Sequence, residues 1–112
     1  MGFLFSKPIE VDMDGPVAAE VRNLITSDKV VIFSKTYCPY CDMAKKEFNN
    51  LDQKYTVIEL NKRDDGDVIQ AILGEITGGK TVPRVFIKGQ CIGGGSETKS
   101  LAASGKLKEL LA

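Results

Sequence analysis

Apolar and polar positions fall in blocks along this chain, and the period changes from block to block. From Pro16, residues Val17, Val21, Leu24 and Ile25 recur at i, i+4, i+7 and i+8, with Arg22 and Asn23 between them. That spacing predicts an amphipathic helix, and Ser27-Asp28 closes it. Lys29-Val30-Val31-Ile32-Phe33-Ser34 is then a continuous apolar run of strand length and β-branched character. Such a run predicts a strand buried on both faces. After the turn Lys35-Thr36-Tyr37 comes Cys38, and Pro39 suits the first position of a helix. Ala44, Phe48 and Leu51 mark the buried stripe of that helix, which ends near Asn49-Asn50.

The second half repeats the alternation with a different ending. Tyr55 to Leu60 reads as a strand and Asn61 to Gly66 as a polar loop. Ile69, Ile72, Leu73 and Ile76 form another helical stripe, with Gly78-Gly79 as its C-cap. Arg84 to Lys88 is a strand, Gly89-Gln90 a tight turn, and Cys91-Ile92 a short returning strand. Gly93-Gly94-Gly95 breaks the chain. Ser96 and Thr98 are candidate N-caps for one last helical segment carrying Leu101, Leu107, Leu110 and Leu111. The order is α-β-α-β-α-β-β-α. A βαβ unit implies parallel strands with a right-handed crossover, and the closing hairpin implies antiparallel ones. The expected fold is α/β: a mixed four-stranded sheet flanked by helices. Residues 1–15 read as an N-terminal extension and 16–112 as one domain.

Composition narrows the chemistry. The chain has 112 residues, fifteen basic residues balance fifteen acidic ones, and histidine is absent. No Cys-His or Ser-His pair and no His-ligated metal can therefore be built. Zero net charge offers no global argument for nucleic acid. No apolar run approaches the ~18 residues of a membrane helix, and no secretory signal pattern opens the chain. Met1-Gly2-Phe3-Leu4-Phe5-Ser6 fits the loose myristoylation pattern, although one acyl chain holds a membrane only marginally. No stable membrane association is expected.

The three cysteines are Cys38, Cys41 and Cys91. Cys38-Pro39-Tyr40-Cys41 stands where a buried strand gives way to a helix, at the edge where α/β sheets bind ligands. Cys38 is expected at the helix N-terminus, where free N–H groups and aligned peptide dipoles favour an anion. A thiolate is such an anion, so the Cys38 pKa is expected to fall from ~8.5 into the ~3.5–7.5 range of comparable sites. Lys35 nearby lowers it further, and Lys45 and Lys46 make the segment locally basic. Cys41 lies one turn deeper, on the same side. The roles that follow are attack by Cys38 and resolution by Cys41. A zinc site shared between two chains and a pair of structural cysteines are the competing readings. Cys91 is expected to be half-buried and inert on its short strand; a regulatory thiol is the other reading.

Two further elements bear on ligands. Thr81-Val82-Pro83 invites a cis bond facing the cysteine pair, with the Val82 backbone open to an extended thiol peptide; an ordinary strand-opening proline is the alternative. The Gly93-Gly94-Gly95-Ser96-Glu97 turn can receive a carboxylate on its N–H groups, and Glu97 can meet an amine.

With these elements in order, the sequence resembles the dithiol glutaredoxins of the thioredoxin fold, over roughly residues 17–111. Thr36-Tyr37-Cys38-Pro39-Tyr40-Cys41, Thr77-Gly78-Gly79 leading to Thr81-Val82-Pro83-Arg84-Val85-Phe86-Ile87, and Cys91-Ile92-Gly93-Gly94 carry the resemblance. It implies glutathione as reductant and co-substrate, with no metal. It implies that Lys35 and Gln70 hold the glycine carboxylate, that Thr81, Val82 and the cis Pro83 face the cysteine, and that Tyr40 flanks the active sulfur. Gly94 and Ser96 would take the γ-glutamyl carboxylate. Glu97 stands where the family usually has Asp for the γ-glutamyl amine, a departure. The implied activity is reduction of protein–glutathione mixed disulfides and protein disulfides by a cytoplasmic monomer, recharged through glutathione reductase. An iron–sulfur cluster bridged by two chains and two glutathiones is the alternative, disfavoured by Pro39 where cluster-binding relatives often have Gly. A reductase fed by thioredoxin reductase is the third reading.

Overall fold

The computed structural model describes residues 9–112; the Gly2 acylation pattern lies outside them. The elements are α1 (Pro16–Ile25), β1 (Val30–Ser34), α2 (Pro39–Asn50), β2 (Thr56–Glu59), α3 (Gly66–Thr77), β3 (Arg84–Ile87), β4 (Gln90–Gly93), α4 (Gly95–Ala103) and α5 (Lys106–Leu111). The strands form one sheet in the order β2-β1-β3-β4. β1 runs parallel to β2 and antiparallel to β3, and β3 runs antiparallel to β4. The mixed four-stranded sheet expected from the sequence is the one observed.

Burial on both faces follows from β1, all five residues of which are buried. Successive side chains point to opposite faces. Val31 and Phe33 join Phe86, Ala18, Val21, Ile69 and Leu73 under α1 and α3. Val30 and Ile32 join Val85, Ala44, Phe48 and Leu107 under α2 and α5. Phe33 and Phe86 meet edge to face at 5.7 Å, a geometry that adds ~0.5–1.5 kcal/mol to the burial of their rings. Val11 and Met13, ahead of the first helix, also pack against the α1/α3 cluster.

Four boundaries differ from expectation. Leu60–Lys62 winds into a 3-10 turn rather than a loop, because Leu60 is a core residue and pulls the chain inward. The β3–β4 turn is Lys88-Gly89, so Gln90 belongs to the strand. The last helical segment is two helices, divided at Gly105 with φ 82°. The cap of α4 is neither Ser96 nor Thr98 but Gly94. Ser96 is exposed, and the buried Thr98 hydroxyl donates to the Gly94 carbonyl at 2.8 Å.

Topology brings three loops to one edge of the sheet. Phe33 near the end of β1 is in register with Arg84 at the start of β3, and Val85 with Gly93 at the end of β4. The β1–α2 turn, the approach to β3 and the β4–α4 turn therefore converge.

Candidate active site

Cys38 is the N-cap of α2, in extended conformation, with Pro39 at the first helical position. Its Sγ accepts the Cys41 N–H at 3.2 Å. The same sulfur lies 3.8 Å from the Val82 carbonyl oxygen, so the Cys pair and the Thr81-Val82-Pro83 segment share one site. The Val82–Pro83 peptide is cis. Cys38 is half-buried and Cys41 fully buried; neither is bonded in a disulfide. Burial first, and then the hydrogen bond its thiol makes to Cys38, push the Cys41 pKa from the ordinary 9.0 up to about 11. The nearby Lys35 backbone and Ser34 hydroxyl partly oppose this; the hydroxyl itself donates to the Lys35 carbonyl at 3.3 Å. The two sulfurs thus differ as an outer and an inner thiol of one helical turn must.

The turn ahead of Cys38 is clamped from β2's side of the sheet. Asn61 accepts the Thr36 N–H at 2.9 Å and donates to the Thr36 hydroxyl at 2.7 Å. Tyr37 and Tyr40 are 71% and 53% exposed, which places both aromatics at the surface beside the sulfur rather than in the core.

A cavity of about 440 Å³ opens alongside, lined by Tyr40, Thr81, Val82, Pro83, Gly94, Ser96 and Glu97, and also by Arg84 and Gly95. Seven residues expected from the sequence therefore meet in one place. Arg84 has no role expected from the sequence, and Gly95 is expected only as part of the glycine-rich turn. Arg84 stands directly after the Thr81-Val82-Pro83 motif, and its Nε donates to the Pro83 carbonyl at 3.1 Å. Gly95 lets α4 approach α2: a Cβ there would lie 2.6 Å from the Tyr40 carbonyl oxygen.

Other residues expected at the site stand elsewhere or are already paired. Gln70 lies apart from this cavity and lines a separate one of about 520 Å³ with Lys80. Its Nε2 donates to the Lys80 carbonyl at 2.9 Å. Lys35 lines neither cavity. Glu97 Oε1 accepts the Gly94 N–H at 2.6 Å, so in the ligand-free chain the acid and the turn satisfy each other. Lys45 is not a free cation beside Cys38; it pairs with Glu59 at 3.0 Å and approaches Asp42 at 4.0 Å. Cys91 is exposed, not half-buried, because β4 is the sheet's edge strand.

A cysteine pair at a helix start, facing a cis-proline across the end of a thioredoxin-like mixed sheet, defines a thiol-disulfide oxidoreductase. The glutaredoxin family model matches residues 30–92. Glutaredoxin-C4 of Arabidopsis thaliana is 52% identical over 96 residues, covering 86% of this chain and 71% of that protein. Glutaredoxin of Ricinus communis is 48% identical over 92 residues, covering 82% and 90%. A structure of the buckwheat glutaredoxin–glutathione complex superposes with TM-score 0.80 at 45% identity, covering 83% of this chain and 84% of that one. The chain belongs to the glutaredoxin family.

Proposed function

We propose that the chain is a glutathione-dependent oxidoreductase that reduces protein–glutathione mixed disulfides and protein disulfides. The observation that carries this is the contact between Cys38 Sγ and the Val82 carbonyl, at the mouth of a cavity that continues to Gly94, Ser96 and Glu97. That cavity runs from Val82, which the reactive sulfur touches, to the start of α4, where Gly94 and Glu97 hold each other until a ligand takes their place. The buckwheat relative, whose structure is that of a glutathione complex, supports the same ligand.

The Cys38 thiolate attacks the glutathione sulfur of a mixed disulfide. The S–S bond breaks, the target protein leaves as its thiolate, and Cys38 carries glutathione. A second glutathione thiolate attacks that glutathione sulfur, which frees Cys38 and yields oxidised glutathione. With a protein disulfide, Cys38 forms a mixed disulfide with the target. Cys41 then attacks the Cys38 sulfur, expelling the target thiol and leaving a Cys38–Cys41 disulfide for glutathione to reduce. Exchange rates follow thiolate fraction, nucleophilicity and leaving-group pKa. The Cys41 N–H and the start of α2 stabilise negative charge on Cys38, which serves both its attack and its departure.

Lys35 in the turn before Cys38 and Gln70 at the neighbouring cavity are the groups that would take the glycine carboxylate. Gly94 and Ser96 would take the γ-glutamyl carboxylate, and Glu97 its amine once its bond to Gly94 opens. The protein acts as a monomer in a reducing compartment, the cytoplasm, and is recharged through glutathione reductase. The test is a pair of variants on a glutathionylated peptide. Cys38→Ser abolishes turnover, and Cys41→Ser retains it. Full activity in Cys38→Ser refutes the assignment.

A further inference from the structure

Arg84, the first residue of β3, enters the active-site cavity without a task in the exchange steps above. Its backbone is in register with Phe33 of β1, and its half-buried side chain lines the cavity beside Pro83 and Gly94. Two glycines make room for the guanidinium. A Cβ on Gly79, just past the cap of α3, would overlap Nη1, and one on Gly94 would lie 3.2 Å from Nη2. Neither glycine has a positive φ, so what they provide here is space rather than backbone freedom. The head group spans the gap between the end of α3 and the β4–α4 turn. Its Nε donates to the Pro83 carbonyl at 3.1 Å, which fixes the plane of the group. None of the ion pairs among the described residues includes Arg84. A guanidinium held by Nε alone keeps four N–H donors on its terminal nitrogens, a fork that fits a carboxylate with two parallel hydrogen bonds.

The opposite charge also borders Gly94. Glu97 Oε1 would lie 3.4 Å from the same Cβ position, and it is tied to the Gly94 N–H at 2.6 Å rather than to Arg84. Among the described residues that line the cavity, Arg84 is the one cation and Glu97 the one anion. A cation and an anion bordering one glycine match the two charges of an α-amino acid group, its carboxylate and its ammonium. We propose that Arg84 is a specificity-determining residue. Seated between Gly79 and Gly94, its guanidinium takes the α-carboxylate of a γ-glutamyl group whose ammonium meets Glu97. The cavity then selects disulfides whose small-thiol partner carries a free α-amino acid end. A lysine cannot replace the arginine in full, because an ammonium lacks the planar fork that the glycine seat holds in place.

This inference rests on glutathione as the ligand, and its test separates the two claims. The full-length chain carries Cys41→Ser and Cys91→Ser, so that Cys38 is its one thiol. A model peptide is offered as its mixed disulfide with glutathione or with cysteinylglycine, which lacks the γ-glutamyl residue. Release of the peptide thiol is followed in single turnovers at rising protein concentration, and the preference is the ratio of the two second-order rates. The parent is expected to prefer the glutathionylated peptide. Arg84→Gln is expected to lower that preference about tenfold, the lower end for a hydrogen bond to a charged group, and to remove most of its dependence on salt. Gly79→Ala is expected to do the same with Arg84 still present, because the added methyl displaces the flexible end of that side chain. Arg84→Lys recovers part of the preference. An unchanged preference in Arg84→Gln, or equal proportional slowing on both peptides, overturns the proposal and leaves glutathione as the ligand. A parent that releases both peptides equally fast overturns the glutathione reading itself.

Discussion

Cys38 Sγ accepts the backbone N–H of Cys41 at 3.2 Å, so the attacking sulfur is itself the cap of the helix that carries its partner. One interaction thereby satisfies a helix N-terminus, stabilises negative charge on the outer thiol and fixes the spacing of the pair. Replacing Cys38 by Ser keeps a cap but removes the nucleophile. The variant is expected to unfold within about 1 kcal/mol of the parent, since Ser is a good N-cap, while its exchange activity is lost. Thermal denaturation beside a turnover assay checks both halves.

The buried Cys41 thiol makes stability depend on alkaline pH in the reduced protein. Its pKa is raised from 9.0 in the open chain to about 11 in the fold, chiefly by burial. The fold thus favours the protonated form. That contribution is complete below pH 9 and is lost as pH rises from about 9 toward 11. It amounts to roughly 2–3 kcal/mol at most. Denaturant melts across this window should show the decline, and Cys41→Ser should flatten it.

Glu97 serves the fold before it serves a ligand. Its Oε1 takes the Gly94 N–H at 2.6 Å, the reciprocal half of a capping box. Glu97→Ala is expected to cost ~1 kcal/mol and to raise the KM for glutathione. Glu97→Gln retains an acceptor for Gly94 but no charge for an amine, so it recovers stability without recovering KM. Melts and steady-state kinetics on the two variants separate these roles.

Gly95 is expected to be intolerant of any side chain. A Cβ placed 2.6 Å from the Tyr40 carbonyl oxygen forces α4 away from α2 and widens the cavity that Tyr40 and Gly94 share. Gly95→Ala should cost ~1–3 kcal/mol by overpacking and weaken glutathione binding in titration calorimetry.

Local pattern made much of this architecture legible. The unbroken apolar run Val30–Phe33 announced a two-faced strand, and Pro39 placed Cys38 at a helix start. The cis bond at Pro83 was one of two openings that Thr81-Val82-Pro83 allowed, and the resemblance to glutaredoxins favoured it. What stayed hidden depends on partners distant in sequence. Lys45 reads as one more cation near the cysteines until the crossover brings Glu59 opposite it. Gly94 has no capping side chain, so Ser96 and Thr98 looked the better caps; the carboxylate three residues on supplies what Gly94 lacks. Cys91 is exposed because, among the described residues, no strand pairs beyond β4, a property of strand order rather than of its neighbours. Arg84 enters the cavity only because antiparallel pairing sets the start of β3 beside the end of β1.

Glutathione is the proposed electron donor. The decisive measurement is NADPH consumption during reduction of a glutathionylated peptide, with two reducing systems run in parallel on the same protein. Sustained turnover with glutathione and glutathione reductase, and none with thioredoxin reductase alone, is the predicted result. Turnover sustained by thioredoxin reductase and absent with glutathione would contradict it.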